Sequence, residues 1–89
     1  MGPSAVTDLD RFTDNELCQM HADAGRRAVQ HFTNMERLIG FMSRMDASDP
    51  EYASIGRTVQ LCHEAGVEAH ELQQQIAAIL RDRRSNANA

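Results

Sequence analysis

The side chains able to do chemistry are four histidines (His21, His31, His63, His70), two cysteines (Cys18, Cys62) and the glutamates among them. Metal binding is the first chemistry they suggest. A di-iron carboxylate bundle needs inward glutamates and Glu-x-x-His pairs on several helices. This chain has no Glu-x-x-His, and Glu64, Glu68 and Glu71 follow a row that faces outward. A zinc site needs a full set of Cys or His at tight spacing on a rigid frame. Cys18-x-x-His21 is half of one, and His31 with His70 across a hairpin adds no third ligand. The spacing therefore predicts histidines that act as polar breaks fixing the register of a helical seam. Partly buried, they would make assembly pH-sensitive. A metal-binding helical bundle stands as an alternative.

Other catalytic chemistry finds less support. Phosphotransfer through His63 would need a neighbouring Lys, and the chain contains none. Neither cysteine stands in an electropositive loop beside an ordered base, and no glycine-rich phosphate loop exists. The expectation is a protein that is not an enzyme and carries no cofactor.

Positioning these side chains falls to two amphipathic segments of similar length. In the first, Leu17, His21, Ala24, Ala28, His31, Met35, Leu38, Met42 and Met45 recur at spacings of four and three. In the second, Tyr52, Ile55, Val59, Cys62, Gly66 and Ala69 do the same. That is the period of a helix burying one stripe. Thr13-Asp14-Asn15-Glu16 fits a capping box that starts the first helix. Ser48 or Asp49 caps the second, with Pro50 at its first position and Glu51 completing Ser48-x-x-Glu51. The predicted organisation is a loose segment over 1–12, with Leu9 and Phe12 laid on the bundle by one turn. A helical hairpin over 13–84 follows (helix 13–45, turn 46–49, helix 50–83), and then a frayed C-terminus, 85–89. The fold class is all-α, an antiparallel two-helix, coiled-coil-like hairpin.

Near Ala69 the heptad falters: strict spacing puts Gln73 on the seam, while Leu72, Ile76 and Ile79 form a shifted stripe. A change of packing or of partner is expected there. Residues facing each other across the turn should have numbers summing to about 96, which pairs Gly40 with Gly56 and predicts close backbone approach near the turn. Cys18 and Cys62 then lie roughly 16 residues out of register, about 24 Å apart, beyond disulfide reach. Both are expected to be small buried apolar residues.

At 89 residues the chain is one small domain, and a lone hairpin of that size has little core to offset chain entropy. Two hairpins pairing into a four-helix bundle would complete the burial. Leu17, Ala28, Met35, Ile39, Val59, Cys62, Ala69 and Ile76 are the expected dimer and core residues. A net charge of -4 counts against nucleic acid, which selects a basic face. With no membrane-length apolar run and no signal pattern, the expected compartment is the cytoplasm.

The charges are also arranged in rows. Asp23, Arg27, Gln30, Asn34, Arg37, Phe41 and Arg44 form the outward row of the first helix; Arg57, Gln60, Glu64, Glu68, Glu71 and Gln75 form that of the second. Phe41 stands out as an aromatic between two arginines, the composition of a binding hot spot, with Met45 nearby as soft apolar surface. Arg37, Phe41, Arg44 and Met45 are the expected partner-binding residues, although Phe41 would equally serve to widen the buried stripe. The expected function is protein–protein contact, with itself as a homodimer or with another helical protein, as an adaptor, small chaperone or regulatory inhibitor in a bacterium or phage. A dimeric hairpin binding nucleic acid through first-helix arginines is a further alternative. In shape the predicted hairpin resembles the small two-helix chaperones of bacterial secretion systems, on its architecture and on the Pro50-Glu51-Tyr52 after the turn; no family is assigned on that ground.

Overall fold

The computed structural model describes residues 9–87. Two helices make up nearly all of it, α1 (Asp14–Met42) and α2 (Pro50–Ala87), packed against each other with no strand among the described residues. Thr13 has extended backbone and caps α1. Its hydroxyl accepts the Glu16 amide at 3.1 Å, while the Glu16 carboxylate accepts the Thr13 amide at 2.9 Å. Two of the helix's four orphan amide donors are thereby satisfied. Hydrogen bonding from the Thr13 backbone amide, and secondarily from the Thr13 side chain, holds the Glu16 carboxyl below its ordinary pKa.

The α-helix of α1 stops three residues short of the expected Met45. The Arg44 amide donates to Phe41 O at 3.1 Å and the Met45 amide to Met42 O at 3.0 Å, so the last turn tightens to three-residue spacing. Ser43 Oγ donates to Gly40 O at 2.7 Å, offering that carbonyl a partner outside the helical ladder. In the turn, the Asp46 carboxylate accepts the Ser48 amide at 3.1 Å and the Ser48 hydroxyl at 2.9 Å. These bonds lower the Asp46 pKa, the backbone one most. Ser48 is thus engaged backward, and the cap of α2 is Asp49, whose carboxylate accepts the Glu51 amide at 2.9 Å. The expected Ser48/Glu51 box is replaced by an Asp46 turn followed by an Asp49 cap. At its far end α2 runs on to Ala87, past the expected Arg83.

The register is constant along the hairpin. Built as alanines, Gly25 would meet Gln73, Gly66 would meet Phe32, and Gly56 would meet Met42; each pair sums to 98, close to the predicted value. Close approach falls elsewhere than expected, though. Gly40 faces open space, whereas a Cβ on Gly66 would lie 2.8 Å from the Phe32 ring. Gly66 is the notch that admits Phe32, whose ring meets His63 edge-on at 6.2 Å between centroids.

The core sits at the open end. Leu9, Leu17 and Ile76 are buried together, with Phe12, Met20, Leu72, Ile79 and Leu80 packed around them. Leu9 and Phe12 do lie on the bundle as the sequence suggests, and they cover the shifted stripe of α2. Arg83 holds them there: its guanidinium donates to Phe12 O at 2.8 Å, to Asp10 O at 3.0 Å and to the Asp14 carboxylate at 2.8 Å. Elsewhere burial is thin, with only Ala24, Ala28 and Gly66 added among the described residues.

Candidate functional site

The expected core residues divide three ways in the single chain. Leu17, Ala28 and Ile76 are buried; Met35, Val59, Cys62 and Ala69 are half-buried; Ile39 is 48% exposed. Ile39 is seven residues on from Phe32 and three before Met42, so it lies on the outer edge of the stripe while Leu38 and Met42 fill the seam. Cys18 is exposed, against the expectation of burial. It opens on a shallow cleft of about 450 Å³ with His21, Leu80, Arg81 and Arg84. Both cysteines are free thiols, as their register requires.

Of the proposed partner-binding set, Arg37 and Arg44 are exposed, Phe41 keeps 51% of its surface and Met45 is half-buried beside the turn. Phe41 therefore lies at the margin of the seam rather than inside it. Two further exposed side chains escaped the sequence reading, Val29 at 66% and Leu61 at 64%. Leu61 could have been found, since it is a large apolar residue out of phase with the stripe between Gln60 and Cys62. Val29 is three residues before Phe32 and carries the same kind of signal.

These four exposed apolar residues occupy two faces of the hairpin. Val29 and Ile39 flank Phe32 at helical spacing, on the side where Phe32 meets Gly66 and His63. Phe41 belongs to the other side, because Met20, Arg27, Asn34 and Phe41 follow one another at intervals of seven and Met20 packs on the open-end core. Leu61 is on that side too, spaced four and seven residues along the row Leu61, Ala65, Leu72, Ile79, whose last two members also join that core. One face is thus sealed by Leu9 and Phe12 at the open end and bare toward the turn.

The histidines are not gathered. Among the described residues no group of three or more His, Cys, Asp or Glu could hold a metal ion. Arg26 is paired with Asp23 one turn earlier on the same helix; Arg27 and Arg37 on α1 and Arg44 just past its end are exposed as well. No helix among the described residues is long and apolar enough to cross a membrane. The chain matches no protein family, no curated protein and no solved structure.

Proposed function

We propose that this protein is a non-enzymatic helical hairpin that works by docking on protein. It acts as a homodimer forming a four-helix bundle, or as one half of a complex with another helical protein. An adaptor, a small chaperone or a regulatory inhibitor of a bacterium or phage fits that description. The docking surface is the turn half of the hairpin, around Arg37, Phe41, Arg44 and Met45.

One observation carries the reading. The large exposed apolar side chains are ordered along two helix flanks, and one of those flanks continues a face that the chain's own N-terminal residues seal at the other end. Scattered exposed apolar residues need no explanation, but large apolar residues sharing one face with charged margins have the composition of an interaction site. Arginine margins suit an acidic or helical partner surface, and the soft Met content suits adaptable packing. An acidic chain whose Arg26 already serves Asp23 fits a protein partner better than a phosphate backbone.

Arg37→Glu together with Arg44→Glu tests the site. The doubly reversed chain should lose its protein partner, while its helical melt in dilute solution matches that of equally dilute wild type, because exposed charges contribute little to the stability of the hairpin itself. Equal retention by both chains would place docking elsewhere. Steep loss of binding to mixed nucleic acid with added salt would support the phosphate-binding alternative instead.

A further inference from the structure

We infer that the bare turn half of the face carrying Phe41 and Leu61 is covered by a second copy of this chain, with α1 of one protomer lying antiparallel along α2 of its partner. This rests on the protein-docking reading and names its occupant. The reason is that both complementary halves of the contact are present on one chain. The α1 side offers Phe41 with Arg27, fourteen residues before it on the same row, and Arg37 one turn before it. The α2 side offers Leu61 with Glu64 one turn later and Glu68 seven residues on. All these charged groups are exposed, as Phe41 and Leu61 are.

Their levels match. A two-fold axis along the bundle keeps every residue at its own height, so the register that sets Phe32 level with Gly66 also governs the contact between copies. Arg37 then stands level with the partner's Leu61 and within one turn of the partner's Glu64. Arg27 stands within one turn of the partner's Glu68 and level with the partner's Glu71. The remaining charge in the α2 row, Arg57, stands level with the partner's Phe41 and within one turn of the partner's Arg37 and the partner's Arg44. That like-charge contact is set against the pairings of Arg37 with Glu64 and of Arg27 with Glu68 and Glu71. A perpendicular two-fold would instead set α1 against α1 and α2 against α2. It would oppose Arg27, Arg37 and Arg44 to themselves and the three glutamates to themselves, an arrangement that like-charge repulsion disfavours. The charge pattern therefore selects the isologous dimer with both turns at the same end.

Two charge-reversed chains test this, Arg27→Glu/Arg37→Glu and Glu64→Arg/Glu68→Arg, followed by sedimentation equilibrium. The wild type should sediment at twice the 9.9 kDa chain mass. Each variant alone should lose dimerisation, because it faces like charge at both contacts. An equimolar mixture should recover the doubled mass, since each contact then joins one reversed row to its opposite or two native rows. Should a variant unfold when alone, its helical signal should return on mixing, so recovery stays decisive. A folded wild-type monomer would overturn self-pairing while leaving a different protein as occupant of the same face. Variants that each remain dimeric, or a mixture that recovers nothing, would overturn the assigned pairing.

Discussion

At the open end of the hairpin Leu17 and Ile76 lose all contact with solvent, whereas toward the turn Phe41 and Leu61 keep half or more of their surface. Composition does not explain the contrast, since both regions carry apolar residues at helical spacing. A third layer does. Leu9 and Phe12 cross the open end and are held down by Arg83, and two helices plus a strap can bury what two helices cannot. The turn half has the same stripe and no strap. That bare half is the face to which the proposed docking is assigned.

The largest effect that would sharpen this comparison lies in the core. Ile76→Ala should cost about 2–5 kcal/mol in chemical denaturation, while Leu61→Ala should leave the unfolding of dilute chain nearly unchanged. Equal losses would erase the distinction between the ends. The glycines offer a contrast in sign. Gly66→Ala gains up to about 1 kcal/mol of helix propensity but forces the Phe32 ring aside at an overpacking cost of about 1–3 kcal/mol, so a net loss is expected. Gly40→Ala, facing open space, should gain up to about 1 kcal/mol. Thermal melts of the pair check it, and a gain in both would show that the Gly66 notch is not tightly filled.

Removing the clamp should act only at the strap. Arg83→Met deletes three hydrogen bonds to Phe12, Asp10 and Asp14, one of them to a largely exposed carboxylate. About 1–2 kcal/mol of lost stability is expected, with faster proteolysis near Phe12 and no change near Phe41. A more local effect is expected at the cap. Thr13→Ala should cost about 0.5–2 kcal/mol. The lowered pKa of Glu16 means that the cap stabilises the fold above the ordinary carboxylate range and fades as pH falls through the lowered value. Asp46 contributes in the same sense. The wild-type acid-side fall in helicity should therefore shrink in Glu16→Gln, which removes the titrating carboxyl, and an acid titration followed by circular dichroism would read it.

Much of this architecture was legible in the chain, and the parts that were not share a cause. Thr13 and Glu16, Pro50, the constant register and the placing of Leu9 and Phe12 are local or one-dimensional signals, so sequence spacing reaches them. The exposure of Ile39 and Cys18 is different, because a stripe read from spacing has no edges until a neighbour fixes its width. Gly40 and Gly56 were paired by number alone, yet close approach follows side-chain volume, and Phe32 sets it at Gly66. Arg83 read as a helix-end charge; the register rule that sets it opposite Thr13 would have revealed the clamp. For the docking site, the arginines and Phe41 are an anomaly visible in a polar row, whereas Leu61 joins them only through the packing that sets both helices on common faces.

The central claim is that the turn half of the hairpin is stabilised by another copy of the same chain, and mass action tests it most directly. A complex that binds only the folded state makes the melting temperature depend on concentration. Thermal unfolding of the wild type, followed by far-ultraviolet circular dichroism over about a hundredfold range of chain concentration, should show a midpoint that climbs steadily with concentration. A cooperative transition whose midpoint stays fixed across that range would contradict self-association.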